Sequence, residues 1–92
     1  MDAASSRTDA IRTAVANQMR IHRTINRMSQ DELAERAGIS RRTIQRLEKG
    51  DIAMDIKHMQ GIASAFGIHW LEFMKRVNDD IEGDGHPNSN ST

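Results

Sequence analysis

The sequence predicts an all-α fold, a compact bundle of five helices, on three observations. Apolar residues recur at spacings of three and four through residues 7–81, and the strict alternation typical of a half-buried strand is absent. The only proline, Pro87, lies near the C-terminal end, so no proline interrupts this region. Aliphatic residues rather than aromatics supply most apolar positions, which helices favour. A chain of 92 residues usually builds one core, so we expect one domain over residues 7–81.

Capping residues divide this region into its helices. Ser29 and Glu32 have the spacing of a capping box at the start of the second helix, and Ser40 is the expected N-cap of the third. Glycines follow the second, third and fourth helices, as left-handed C-terminal caps require. Residues 1–6 and 82–92 are small and polar, so we expect disordered tails there. The predicted helices cover residues 7–26, 29–37, 41–49, 55–66 and 69–81.

Each long helix has an apolar side that we expect to face the core. His22 occupies such a position, and we expect it at the core margin with one ring nitrogen hydrogen-bonded. The methionines Met54, Met59 and Met74 are expected to fill the core rather than to form a ligand pocket. The inward positions predicted are Ile11, Val15, Met19 or Gln18, His22 and Ile25 on the first helix, Ile56, Met59, Ile62, Ala63 and Phe66 on the fourth, and Trp70, Phe73, Met74, Val77 and Ile81 on the fifth.

Composition excludes several classes of function. Without cysteine there is no disulfide framework, cysteine nucleophile or thiolate metal site. The histidines lack a recognisable ligand spacing, and no glycine loop suited to cradling phosphate is present. We therefore expect no catalysis, no cofactor and no small-molecule ligand. No apolar run has the length of a membrane helix or a signal peptide, so a cytoplasmic protein without membrane contact is expected.

A net charge of zero hides an uneven distribution along the chain. Residues 1–49 carry ten Lys and Arg against six Asp and Glu, a net charge of +4, whereas residues 50–92 carry three against seven, a net charge of −4. The basic half is where a surface for phosphate is expected, because clustered cations attract the nucleic-acid backbone. An ordinary salt-bridged surface is the alternative that charge alone leaves open.

Residues 28–50 carry the most informative pattern. Two short capped helices are separated only by Gly38, Ile39 and Ser40, a link that does not let them run antiparallel. The link instead holds them at a steep angle, as in a helix-turn-helix of residues 29–49 whose second helix can enter the major groove. Ile44 and Leu47 are then expected to anchor the second helix to the core.

The same stretch carries a family resemblance. The residues that match the pattern are Gln30, Leu33, Ala34, Gly38, Ile39, Ser40, Ile44, Leu47, Glu48 and Gly50. They resemble the lambda-repressor-like, Cro-type (XRE) helix-turn-helix domains, and the resemblance extends over roughly residues 15–75. It implies that family's five-helix fold, here with an extended last helix, and binding to specific double-stranded DNA. It further implies that Gln30 touches a phosphate and braces the recognition helix, and that Arg23 lies against the DNA backbone.

The third helix supplies the predicted base-reading residues, Arg41, Arg42, Gln45 and Arg46. The resemblance places the family's base-reading positions on them, and helical geometry also turns them outward when Ile44 and Leu47 point inward. Arginine and glutamine suit the edges of guanine and adenine, so a G-containing half-site is expected. Which arginine reads bases and which holds phosphate stays open, and so does pairing of this face with Asp31 or Glu35.

Residues around the same helix supply the predicted contacts with the DNA backbone, namely Arg23, Gln30, Ser40, Thr43 and Lys49. Thr43 has a local alternative, because its hydroxyl can support the first turn of the helix. Glu48 is expected to orient a neighbouring arginine rather than to accept a hydrogen bond from cytosine.

The last helix extends an apolar seam that we expect to join two copies over residues 69–81. Leu71, Met74, Val77 and Ile81 are the candidate dimer contacts. The alternative is that Trp70, Phe73 and Met74 belong to the core, with Val77 and Ile81 capping it.

The predicted function is transcriptional regulation, most simply by a repressor whose homodimer covers an inverted-repeat operator with helix 41–49 in the major groove. A protein of this size also fits a phage or mobile-element repressor, a restriction-modification controller, or an antitoxin whose partner is a toxin. A module whose main role is protein binding is the remaining alternative. The expected setting is a bacterial or phage-encoded protein associated with the nucleoid.

Overall fold

The computed structural model describes residues 3–85 and confirms the predicted fold class. Within that range the chain forms five helices and no strand. The helices are α1 (Ala3–Ile25), α2 (Gln30–Ala37), α3 (Arg41–Lys49), α4 (Ile56–Phe66) and α5 (Trp70–Gly85). None of the helices in this range is both long and apolar enough to cross a membrane.

Both terminal helices extend further than the sequence predicted. Helix α1 begins at Ala3, so residues 3–6 are helical rather than tail, and α5 continues past Ile81 to Gly85. The physical reason is that elongation costs little once the neighbouring turns are docked, whereas nucleation is costly. The rest of the predicted tails, residues 1–2 and 86–92, lies outside the described residues.

The predicted caps are present at both ends of α2 and α3. The Ser29 hydroxyl accepts a hydrogen bond from the Glu32 N–H while the Glu32 carboxylate accepts one from the Ser29 N–H, which completes the capping box. The Ser40 hydroxyl accepts from the Thr43 N–H at 3.1 Å and begins α3. Gly38 ends α2 with a φ of +69°, a left-handed conformation that glycine adopts without steric cost. These local bonds define the short link between the two helices.

The core lies where all five helices meet. Its largest fully buried side chains are Phe73, Met19, Leu33, Ile44, Leu47 and Ile62. The sequence left Met19 and Gln18 as alternatives for one inward position of α1. Met19 is the buried one, and the Gln18 amide donates a hydrogen bond to Asp80 at 2.8 Å.

Four predicted core positions were wrong, because Ile11, Ile25, Ile56 and Met74 are exposed. Ile25 and Ile56 are the last residue of α1 and the first of α4, where the apolar stripe runs past the neighbouring helices. Small residues, Ala14 and Ala16, are buried on α1 instead.

Candidate nucleic-acid interface

Helix α3 separates its side chains into a buried and an exposed set. Ile44 and Leu47 are fully buried and anchor the helix to the core. Four cationic side chains, Arg41, Arg42, Arg46 and Lys49, are exposed, and Gln45 is half-buried between them. This is the orientation expected from helical periodicity.

The one acidic residue of α3 does not share this exposed face. Glu48 is only 5% exposed and its carboxylate points into the protein. Its Oε2 accepts from Arg23 Nε at 2.7 Å, and its Oε1 accepts from Arg23 Nη2 at 3.1 Å and from Gln30 Nε2 at 3.0 Å. The outer face of α3 therefore presents cations and an amide but no carboxylate from α3 itself.

Arg23 has a structural role that the sequence did not predict. All three of its guanidinium nitrogens bond within the protein, since Nη1 also donates to the Met28 carbonyl oxygen at 3.0 Å. The side chain thus ties α1, the α1–α2 loop and the end of α3 together. Arg23 therefore positions α3, and the bidentate pair confirms that Glu48 orients an arginine. The predicted contact of Arg23 with the DNA backbone remains a prediction.

Gln30 lies at the start of α2 and braces α3 through Glu48, as the resemblance implied. Its predicted contact with phosphate remains a prediction. Ser40 and Thr43 bond to each other as well as at the cap, with 2.9 Å between the two hydroxyl oxygens, so both support the first turn of α3. The local role weighed for Thr43 is therefore observed.

Arg20 also holds α3, and sequence reasoning missed it. Its Nη1 donates to the Glu48 carbonyl oxygen, and its Nη2 donates to Asn17 Oδ1 at 2.7 Å. A cation at the C-terminal end of a helix satisfies a free carbonyl and interacts favourably with the helix dipole. The available signal was the spacing of Arg20 and Arg23, which places both on the side of α1 that meets α3.

The exposed cations of α3 differ in their partners. Arg41 forms an ion pair with Asp31, 3.0 Å between Nε and Oδ1, and both side chains are exposed, so the pair is weak and can exchange for another partner. Among the residues that the structure describes, Arg42, Arg46 and Lys49 form no ion pair. Their charges remain available to an anionic ligand.

Comparison with known proteins gives the family. The helix-turn-helix family model matches residues 19–73, more than half of the chain. The chain belongs to the Cro/C1-type (XRE) helix-turn-helix family. It is accordingly a transcriptional regulator with a helix-turn-helix DNA-binding domain, and not an enzyme.

Individual relatives agree with this assignment. The HTH-type transcriptional regulator MJ0272 of Methanocaldococcus jannaschii is 35% identical over 52 residues, which cover 56% of this chain and 79% of the relative. The HTH-type transcriptional regulator y4aM of Sinorhizobium fredii is 29% identical over 85 residues, which cover 90% of this chain and 59% of the relative. The crystal structure of the clp gene regulator ClgR from Corynebacterium glutamicum has the same fold, with a TM-score of 0.75 at 17% identity, covering 88% of this chain and 86% of that one.

The four predicted dimer contacts on α5 of this helix-turn-helix regulator differ in burial. Leu71 is 54% exposed and Met74 is also exposed, but Val77 is only 6% exposed and belongs to the core, and Ile81 packs against the core. Val77 is therefore wrong as a dimer contact, because its side chain is already buried inside the protomer. Trp70 and Phe73 pack inward, as the alternative expected, whereas Met74 does not.

His22 lies inside the helix-turn-helix domain rather than at its margin. Its ring stacks on Phe66 of α4, 5.3 Å between centroids, and lies 5.9 Å from Phe73 of α5. Burial, and next the positive charge of Arg76, lower the pKa of His22 from its usual value. Its Nε2 is buried and has no hydrogen-bond partner among the described residues. Within the same range no three His, Asp or Glu side chains are grouped so as to hold a metal ion.

Proposed function

We propose that this protein is a repressor that binds a specific inverted-repeat operator in double-stranded DNA as a homodimer, with α3 in the major groove. The observation that carries the proposal is the outer face of α3, which presents exposed arginines and no acid of its own because Glu48 is turned inward. Binding DNA of this kind places the protein in the compartment that holds the DNA, the cytoplasm of a bacterial cell. The relatives named as transcriptional regulators support the same role.

Base reading falls to Arg41, Arg42, Gln45 and Arg46 in this proposal. Arg42 and Arg46 are exposed and form no ion pair in the described part of the chain, so neither must give up a partner in order to reach a base. Each arginine that contacts guanine through two hydrogen bonds contributes about 1–3 kcal/mol of discrimination. Arg41 reaches the groove by exchanging its weak pair with Asp31.

The backbone contacts come from residues that border α3. Lys49 is exposed at its C-terminal end, and Gln30, Ser40 and Thr43 lie near its N-terminal end or at the start of α2. Such contacts set the register of the protein on DNA without reading sequence.

A protein-binding role, such as that of an antitoxin, is the second candidate. Exposed apolar side chains away from α3, among them Leu71 and Met74, favour it. The two candidates differ in whether the arginines of α3 are needed for specific binding.

Selection of bound duplexes from a random pool tests the proposal. Wild-type protein should enrich a G-containing inverted repeat. Arg42→Ala and Arg46→Ala should each relax the preference at particular base pairs, at a cost of about 1–3 kcal/mol. Enrichment of no motif would favour the protein-binding role instead, and a motif unchanged in both variants would contradict the assignment of Arg42 and Arg46 to base reading.

The salt dependence of operator binding supplies a matched control. Lys49→Ala should weaken binding on all sequences. It should also reduce the magnitude of the slope of log affinity against log salt concentration by about one. Lys75→Ala removes an equal charge from α5, where it pairs with Asp79, and should leave the slope unchanged. Equal slopes for the two variants would contradict a DNA surface centred on α3.

A further inference from the structure

Helix α1 ends on a backbone conformation that arginine does not favour. Arg27, two residues past the helix, has a φ of +53° and is the one non-glycine residue with a positive φ in the part of the chain that the structure describes. Its neighbour Met28 donates its N–H to the Arg23 carbonyl oxygen at 2.9 Å, which completes a left-handed helix end. A Cβ in this conformation lies close to the backbone, so arginine here costs stability that glycine would not cost. The corresponding positions after α2, α3 and α4 are filled by Gly38, Gly50 and Gly67.

No partner inside the described part of the protein compensates for this cost. The Arg27 side chain is exposed, and it forms neither a hydrogen bond nor an ion pair with another described residue. The two acids nearest to it in sequence are already engaged. Asp31 pairs with Arg41, and the Glu32 carboxylate accepts a hydrogen bond from the Ser29 N–H. An unfavourable conformation with no use inside the fold points to a contact with a ligand.

The loop that carries Arg27 is fastened to α3. The Arg23 guanidinium donates to the Met28 carbonyl oxygen at 3.0 Å and to the Glu48 carboxylate at 2.7 Å, so one side chain joins the loop to the reading helix. Gln30, three residues after Arg27, contacts the same carboxylate at 3.0 Å. The Met28 side chain is buried, whereas Arg27 is exposed. The charge of Arg27 therefore lies in the open beside the residues that hold α3.

We propose that Arg27 binds a phosphate of the DNA backbone next to the one assigned to Gln30, an inference that rests on the DNA binding of the proposed function. A guanidinium donates two hydrogen bonds to one phosphate and stays charged at physiological pH. The contact adds a phosphate at the α1–α2 loop to those at the two ends of α3. Arg27 thus lowers the stability of the free protein and raises its affinity for DNA of any sequence, because phosphate contacts carry no sequence information.

Three substitutions separate the charge of Arg27 from its backbone conformation. Arg27→Gln removes the charge but keeps a Cβ in the left-handed conformation. Arg27→Lys keeps the charge and the Cβ, and Arg27→Gly removes both. A phosphate contact and a purely structural role predict different results for this set.

Affinity is measured over a range of salt concentrations, on the duplex that the wild type selects and on an unrelated duplex. In about 0.1 M salt, Arg27→Gln should bind both duplexes roughly five- to tenfold more weakly, because one phosphate contact and its counterion release are lost. The magnitude of the slope of log affinity against log salt concentration should fall by about one. Arg27→Lys should keep the slope of the wild type.

Lys75→Gln is the matched control for charge. It removes one positive charge from α5, where Lys75 pairs with Asp79, and it should bind both duplexes as the wild type does. An Arg27→Gln protein that keeps the slope of the wild type would overturn the proposal, and so would a loss confined to the selected duplex.

Thermal unfolding gives a readout in which the gain and the loss have opposite signs. Arg27→Gly should raise the melting temperature by roughly 4 °C, because the Cβ is removed from the left-handed conformation. It should nevertheless lose as much DNA affinity as Arg27→Gln, whose melting temperature should match that of the wild type. A melting temperature of Arg27→Gly at or below that of the wild type would show that the protein itself stabilises this arginine, and it would refute the proposal.

The same measurements distinguish this inference from the proposed function. Wild-type protein that selects an operator while Arg27→Gln binds equally well would remove the Arg27 contact and leave the repressor function standing. Wild-type protein that binds neither duplex would refute the DNA-binding function, and the phosphate contact of Arg27 would fall with it.

Discussion

A single carboxylate, that of Glu48, joins α3 to the two helices that position it. It receives two hydrogen bonds from Arg23 and one from Gln30, and these three residues belong to three different helices. The Arg23 side chain is 23% exposed and that of Glu48 only 5%, so the pair is shielded from water on the acidic side. Its stabilising effect depends on both partners being present, because the Glu48 carboxylate without Arg23 would be a buried charge without an opposite charge beside it.

Loss of Arg23 should therefore destabilise the fold rather than only weaken a DNA contact. We expect Arg23→Ala to lower the free energy of unfolding by about 3 kcal/mol, measured by urea denaturation followed by circular dichroism. Arg36→Ala should change it by less than about 0.5 kcal/mol, because the pair of Arg36 with Glu32 is exposed.

The double variant Arg23→Met/Glu48→Leu distinguishes burial of a lone charge from loss of packing. Removing both charges should restore most of the stability lost in Arg23→Ala. A double variant as unstable as the single one would contradict this account of the pair.

At the level of the element, α4 determines how closely the helix-turn-helix packs on the rest of the protein. Gly61 of α4 lies against the end of α2, where a Cβ on this glycine would be 2.6 Å from the Ala37 carbonyl oxygen. That atom belongs to the backbone and cannot rotate away. The glycine is therefore needed for the approach of the two helices, although glycine weakens a helix by itself.

Substitution of two helical glycines should have opposite effects. Gly61→Ala should destabilise the protein by about 1–3 kcal/mol, because overpacking outweighs the gain in helix propensity. Gly83→Ala in α5 meets no atom within 4 Å and should stabilise by up to about 1 kcal/mol. Thermal and urea unfolding measure both, and a stabilising Gly61→Ala would rule out the close approach.

For the whole molecule, the principal contacts join the helices into a closed ring in the order α1, α3, α2, α4, α5 and back to α1. His22 lies at one junction of this ring, between Phe66 of α4 and Phe73 of α5. Arg76 of α5 is the charged group that adds to the effect of burial on the pKa of His22. A proton on His22 thus opposes the packing of three helices at once.

Global stability should consequently fall in mild acid. The pKa of His22 is lowered from 6.5 in the folded state, so the unfolded chain takes up this proton at a higher pH than the folded chain. His22 imposes no penalty well above pH 6.5, and the free energy of unfolding falls as the pH drops below that value. The free energy of unfolding falls by at most about 1.4 kcal/mol per pH unit through this effect. The fall ends once the pH is below the pKa of His22 in the folded state.

The variant His22→Leu isolates this effect. The difference in unfolding free energy between variant and wild type should change as the pH falls through 6.5 and below, because the carboxylates titrate in both proteins and cancel. Urea unfolding at a series of pH values measures it. A difference that is constant over this range would exclude His22 as the cause.

The sequence by itself determined the five helices, the caps of α2 and α3, and the face of α3 that carries Arg42 and Arg46. These features depend on interactions within a few residues, such as the bonds of Ser29 and Ser40 and the 3.6-residue period, so local spacing is enough to predict them. The tertiary structure alone decided that Arg23 and Arg20 hold α3, that Val77 is core while Met74 is exposed, and that Ile11 is exposed. Those outcomes depend on which helix lies opposite each side chain, and the residues that meet there are 25 or more positions apart in pairs such as Arg23 and Glu48. Helical periodicity gives the direction of a side chain, but only the packed neighbour decides whether that side chain meets water, a carboxylate or another helix.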